Sequence, residues 1–336
     1  ERFLSFLTDA GRSPNTVKAY AHDLRDWFAF LAGRALDWAA VSVEDVAAFV
    51  AWLRLPPSAR GAGVAVLPLG EHCSAATINR KLAAVGSMYQ HASRSGLAVH
   101  AALSVWRPAG RRGGAGGFLH HVSKSRPVAA PVVRVRAGRR TPRTLDRQEV
   151  EALIGACQRR RDRLLLEVLA STGMRVGEAL GPRHEDSDAA ERQVRVIARD
   201  NDNRARSKSL VPRTIPVPAS LVRCYADYLI EEYGELDSDY VFVNLWGGRV
   251  GSPLKYAAVY DLVRRLRART GIDFDPHWLR HTYATGLLRS DVPVEVVSSL
   301  LGHASVATTS STYAHLTVAD TRAALTRAGV LTEDVS

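Results

Sequence analysis

A mainly α protein in two domains, with a small antiparallel β-sheet in the second, is what the sequence predicts from three observations. The chain has 336 residues, more than one hydrophobic core usually organises. A basic, Gly- and Pro-rich stretch over 108–143 divides it. Helical periodicity fills residues 1–107, whereas the runs read as strands lie in the second domain. Hydrophobic residues at 46% and charged residues at 24% exclude wholesale disorder and a collagen-like chain. No run approaches the roughly 18 apolar residues of a membrane span. Residues Glu1–Ala10 lack the pattern of a signal peptide, so a soluble cytoplasmic protein without a membrane partner is expected. Cys73, Cys157 and Cys224 are isolated, which argues against a disulfide framework or a cysteine zinc site. The start at Glu1 rather than Met is expected of a trimmed N-terminus.

Each element has its own signal. A short helix is expected over residues 1–10. Ser13 and Pro14 open the next, with Val17, Tyr20, Leu24, Trp27, Phe28 and Leu31 at helical spacing. Ser42 with Asp45 opens a third, its stripe Val46, Phe49, Val50 and Leu53 ended by Pro56 and Pro57. Ser74 opens a fourth, carrying Ile78, Leu82, Val85, Tyr89 and Ala92 and closing at Gly96. This predicts a four-helix domain over 1–107. Beyond the divide, Asp146 with Glu149 caps a helix bearing Val150, Leu153, Ile154 and Cys157, and another runs from Asp162 to Gly173. Val194–Ile197, Arg213–Val217 and Tyr240–Val243 read as strands, and helices return from Tyr256.

The net charge is +11, carried by 40 Arg against 5 Lys. Residues 1–107 hold 11 basic and 8 acidic groups, 108–143 hold 9 and none, and 144–336 hold 25 and 26. The excess therefore sits in the divide, including Arg134, Arg136, Arg139 and Arg140. It reads either as a solvated tether or as a strap along a phosphate backbone. The missing acidic interleaving favours the strap and implies salt-sensitive DNA binding.

Four segments of the second domain carry polar groups that packing alone does not explain. In Gly173-Met174-Arg175-Val176-Gly177-Glu178, a helix stops and another starts, placing Arg175 and Glu178 three residues apart; alone this is an ordinary ion pair. In Asp275-Pro276-His277-Trp278-Leu279-Arg280-His281, a capped helix start is expected to project His277 and Arg280 together near its positive end, which suits an anion. His277 with His281 also has the spacing of a metal pair, but the metalloprotease Glu is missing between them. In Leu300-Leu301-Gly302-His303, an apolar helix ends at glycine and delivers a histidine, alone an ordinary core residue. Thr308–Leu316 contains Tyr313, alone a half-buried packing residue.

Together, Arg-x-x-Glu, then His-x-x-Arg about a hundred residues on, then Leu-Gly-His and Tyr, resemble the tyrosine recombinases, or phage integrase family, over nearly the whole chain. The resemblance implies a core-binding, SAM-like helical domain over 1–107, a linker over 108–143 and a mixed α/β catalytic domain over 144–336. It implies that Arg175 and Arg280 hold the scissile phosphate with His277 and His303, that Tyr313 is the nucleophile, and that Glu178 supports the site from behind. The family's lysine falls at Lys208, with Arg199 as the ungapped alternative, disfavoured because Arg hardly gives up a proton. Tyr313 lies ten residues after His303, where the family commonly has nine; one extra residue turns a helix by about 100°. The segment after Tyr313, with Val318, Ala323, Leu325 and Ala328, resembles the tail that members dock on a neighbouring protomer; folding on its own domain is the alternative.

The residue types suit phosphodiester chemistry. The anion gains negative charge under attack, and the chain offers guanidinium forks where a P-loop or metal cluster would otherwise be needed. No metal and no other cofactor is expected. Tyrosine titrates near 10, so forming phenolate at pH 7 costs about 4 kcal/mol, within reach of adjacent Arg and His. The 5′-hydroxyl leaving group needs a proton, which Lys208 would supply. The expected partner is double-stranded DNA with paired sites, and the expected assembly is four protomers on two sites, alone or with sister recombinases, in the nucleoid. The most elaborate integrases, which carry an arm-binding domain ahead of this point, are not expected unless the N-terminus was cut away, leaving integrase, transposase and Xer-like resolvase open. Two rivals remain: a type IB topoisomerase-like relaxing enzyme, and a DNA-binding protein without catalysis.

Overall fold

The computed structural model describes residues 1–60, 73–96, 103–107, 128–136, 138, 142–207, 209, 211–246, 248–303 and 305–313. The chain divides into two compact units, Glu1–Arg139 and Arg140–Ser336.

The first unit contains α1 (Arg2–Asp9), α2 (Pro14–Gly33), α3 (Val43–Arg54) and α4 (Ala75–Ser93). The expected caps form: Ser13 Oγ accepts the Thr16 N–H, Ser42 and Asp45 cap each other, and Ser74 Oγ accepts the Thr77 N–H. Each satisfies an amide that the helix start leaves without an internal partner. Trp27, Phe30, Phe49, Leu53, Ile78 and Tyr89 are buried between the helices, with Trp27 edge-on to Phe49 at 4.9 Å. Two charged residues, Asp23 and Lys81, are buried with them. Asp23 receives Lys81 Nζ at 3.2 Å as well as Arg80, and Lys81 reaches Asp26 at 2.7 Å.

Part of the expected linker lies in this unit. β1 (Ser104–Arg107) pairs antiparallel with β2 (Val128–Pro131). Val133 and Val135 then pack on the first core. Asn79 Nδ2 donates to the Val135 carbonyl at 2.8 Å, and the Val135 N–H returns to Asn79 Oδ1 at 3.0 Å. Composition marks 108–143 as a tether because charge and glycine outweigh its few apolar residues. Val133 and Val135 nonetheless suffice to seat residues 128–136 on the helices.

In the second unit the order is α5 (Arg147–Gly155), α6 (Arg160–Thr172), α7 (Val176–Ala179), β3 (Ser187–Asp188), β4 (Gln193–Val196), β5 (Arg213–Pro216), α8 (Ala219–Tyr228), α9 (Tyr256–Thr270), α10 (Pro276–Arg289), α11 (Val294–Leu301) and α12 (Val306–Tyr313). Leu164, Leu165, Leu166 and Leu169 of α6 are buried, and this helix packs against both α8 and α10. It starts two residues before the expected Asp162, which sits in its first turn. The sheet runs β3-β4-β5, all antiparallel, with Val194 opposite Ile215. Tyr240–Val243, expected as a strand, makes only isolated bridges, Arg183 to Tyr240 and Val243 to Pro253. All four of its side chains are buried, so the run is apolar because it fills the core rather than because it forms a ladder. The third strand is instead the polar pair Ser187–Asp188. Among the described residues no helix is long and apolar enough to cross a membrane.

Candidate active site

The site is built where two helices of the second unit end. α6 stops at Gly173, whose φ of +62° is left-handed. A Cβ there would also lie 2.6 Å from the Tyr283 ring, so glycine is required twice over. The turn delivers Arg175 as the residue capping α7, and Glu178 sits three residues on. Arg175 gives its N–H to Glu178 Oε2 at 3.0 Å and its Nη1 to Oε1 at 2.8 Å. The Glu178 side chain is wholly buried, whereas that of Arg175 stays 22% exposed.

The second end is α11. It closes in a Schellman motif, with the His303 N–H on the Ser298 carbonyl and the Gly302 N–H on the Ser299 carbonyl. Gly302 has φ +62°, and a Cβ there would fall 2.6 Å from Arg213 Nη1. The Leu-Gly-His motif therefore combines a left-handed stop with room for a guanidinium.

Arg280 joins the two ends. Its Nη1 donates to the Gly173 carbonyl at 2.7 Å, and its Nη2 to the Leu301 carbonyl at 2.7 Å and to His303 Nε2 at 2.9 Å. It is 2% exposed, a cation seated on two helix C-termini, where the dipoles favour positive charge. This differs from the expectation that His277 and Arg280 project together. His277 is exposed at the start of α10, its ring edge-on to His281 at 4.5 Å, while Arg280 turns inward to the carbonyls.

Arg213 on β5 is a residue the sequence reading missed. Its Nη2 donates to Glu178 Oε2 at 2.8 Å and its Nε to the Leu300 carbonyl at 2.8 Å. Its Nη1 is a buried donor with no hydrogen-bond partner among the described residues. The signal was strand parity: Arg213 shares a face with the fully buried Ile215 two residues on. Glu178 thus faces three guanidiniums, because Arg280 Nη1 also lies 3.9 Å from its Oε2. Burial works to raise the Glu178 pKa, but Arg213 and Arg175 hold it below the usual range.

His303 completes the group. Its Nδ1 lies 2.8 Å from Oγ of the buried Thr309, on α12. Burial, then the charges of Arg280 and Arg175, depress its pKa to about 4. Tyr313 is the last residue of α12, four positions after Thr309. Lys208 falls in the segment between β4 and β5 and lies outside the described residues, as do Arg139 and Arg140; Arg134 and Arg136 are exposed. Arg199, the alternative to the lysine, is taken up by carboxylates, with Nη2 at 3.0 Å from Glu185 Oε1. Among the described residues no three His, Cys, Asp or Glu side chains are grouped to hold a metal.

The Phage integrase family model matches residues 143–320, and the model of the phage integrase N-terminal SAM-like domain matches residues 1–96. Transposase A from transposon Tn554 of Staphylococcus aureus is 40% identical over 324 residues, covering 95% of this chain and 87% of that protein. The chain belongs to the phage integrase family, the tyrosine recombinases. Tyrosine recombinase XerD of Mycobacterium tuberculosis is 31% identical to this recombinase, covering 91% and 89% of the two chains. Among solved structures, the Tn1549 transposon integrase in complex with transposon right end DNA shares its fold, with a TM-score of 0.61 at 15% identity and coverage of 97% and 98%. As a site-specific recombinase, this chain keeps its polar cluster wholly within the second unit.

Proposed function

We propose that this recombinase cuts and rejoins duplex DNA at paired sites through Tyr313, in the integration, excision or transposition of a mobile element. The observation that carries the proposal is the imbalance around Glu178, where one buried carboxylate faces Arg175, Arg213 and Arg280. A buried surplus of positive charge calls for an anion, and a phosphodiester supplies it. Arg175, whose side chain is partly exposed, takes one non-bridging oxygen, while Arg280 lends its charge from beneath. His303 and His277 complete the phosphate contacts, and Glu178 fixes both Arg175 and Arg213.

In this reading the Tyr313 phenolate attacks phosphorus, a 3′-phosphotyrosyl bond forms, and the 5′-oxygen leaves with a proton from Lys208. The bond energy is kept, so a second 5′-hydroxyl can reverse the step without a metal or nucleotide cofactor. Thr309 and Tyr313 are four residues apart, a spacing that shares a helix face. Residues 1–107 act as the core-binding domain, and the basic stretch over 108–143 follows the DNA backbone with Arg134, Arg136, Arg139 and Arg140. Four protomers, alone or with sister recombinases, act on two sites in the nucleoid. The likeness to Transposase A, stronger than that to XerD, favours a mobile element over chromosome resolution.

The test is covalent capture. The protein is incubated with fragmented DNA of its host and denatured, and protein-bound strands are sequenced alongside Tyr313→Phe. Strands ending at a shared site, recovered with the wild type alone, are expected. Equal recovery with Tyr313→Phe would sink the proposal.

A further inference from the structure

We propose that Thr309 is a positioning residue that sets which nitrogen of His303 carries the proton, and so ties the helix of the nucleophile to the phosphate site. An arginine can only donate, so the 2.9 Å contact from Arg280 Nη2 requires a lone pair on His303 Nε2. The proton of the neutral ring is then on Nδ1, which donates to Thr309 Oγ at 2.8 Å. Thr309 is wholly buried, so within the described residues this contact is a fixed part of the packing of α12.

The ring has little room to change its charge instead. Arg280 from α10, Arg175 ahead of α7 and Arg213 on β5 face it against the single carboxylate of Glu178, and burial adds to their effect. A neutral histidine offers one N–H at a time. To give Nε2–H to a phosphate oxygen, which rests on the recombinase reading above, His303 must release the proton on Nδ1 to solvent and take one from water on Nε2. Its net charge is unchanged, and Arg280 Nη2 is freed for the anion. Nδ1 must then accept, and a hydroxyl is the group that can do both, accepting from Nδ1–H before DNA arrives and donating to Nδ1 afterwards. An apolar side chain in this buried place would serve neither form.

The residue also belongs to the helix that ends in Tyr313. The docking of that helix and the proton position on His303 are therefore reported by one hydrogen bond.

The experiment is nitrogen NMR of the full chain labelled with 15N-histidine, at pH 7.5 without DNA, on wild type, Thr309→Ser and Thr309→Val. His303→Gln assigns the signal. Wild type and Thr309→Ser are expected to show His303 neutral with the proton on Nδ1, and Thr309→Val to show a mixed or reversed proton position. The same proteins go into the covalent-capture assay, where Thr309→Val should lose about tenfold in rate and Thr309→Ser should stay near wild type, as for one buried hydrogen bond. A wild-type proton position in Thr309→Val, or a serine variant that behaves like valine, overturns the proposal. If the NMR differences appear but wild type captures no strand, the recombinase reading fails while the placement of Thr309 stands.

Discussion

Each unit buries a cluster of charges, and the two clusters differ in their balance. In the first, Asp23 and Asp26 share the one buried cation Lys81, and the partly exposed Arg80 and the exposed Arg25 pair with them from the solvent side. In the second, Glu178 alone meets Arg175, Arg213 and Arg280. A cluster whose one buried cation is met by two carboxylates, its other cations reaching solvent, fixes the packing of α2 on α4 and asks for nothing further. An unbalanced one leaves a surplus of guanidinium charge, which the proposed function gives to an outside anion, at a cost in stability that the helix C-termini beneath Arg280 partly offset.

The largest effect that would break this comparison is expected from Glu178→Gln. It leaves three guanidiniums without their carboxylate and should destabilise the second unit by about 3 kcal/mol or more. Asp23→Asn should cost the first unit less, about 1 to 2 kcal/mol, because Lys81 keeps Asp26. Hydrogen exchange resolved by unit distinguishes the two. Equal losses would mean that the imbalance has no energetic meaning.

Arg213→Met is next. It removes the bonds to Glu178 and to the Leu300 carbonyl, and a loss of about 2 kcal/mol is expected in thermal melts. Arg213→Lys should restore little of it, since one ammonium cannot reproduce the fork. Full rescue by lysine would reduce Arg213 to a point charge.

The smallest effect is the pH dependence, because solvent screens a ring that is only half buried. Burial and the facing guanidiniums lower the folded His303 pKa to about 4 from the 6.5 of a histidine in the unfolded chain, so the unfolded chain takes up its proton first. Stability from this group is complete above pH 6.5 and is lost as pH falls from there through about 4. His184, lowered mainly by burial, acts in the same direction. Glu178, also lowered, adds its own loss only in the carboxylate range below these. Melts of His303→Gln should therefore flatten between pH 6.5 and pH 4.5, and an unchanged slope would contradict the neutral, guanidinium-facing ring.

Much of this was legible in the sequence. Ser13, Ser42, Ser74, Asp146 and Asp275 announce helix starts because capping is local chemistry, and each makes its cap. Gly173 and Gly302 announce the stops that build the site. Arg280 was legible as a site residue but its depth was not, because the two carbonyls that draw it inward lie 107 and 21 residues away in the chain. Arg213 was hidden by the same kind of distance, its partners being on α7 and α11. Tyr240–Val243 misled because an apolar run looks the same whether it joins a ladder or fills a core.

The proposed nucleophile is Tyr313, at its spacing of ten residues from His303. Its most direct test is to trim the captured protein–DNA adduct with nuclease and protease and to find by mass spectrometry which residue carries the nucleotide. A 3′-phosphonucleotide on Tyr313 is the predicted result. An adduct on any other residue would contradict the account.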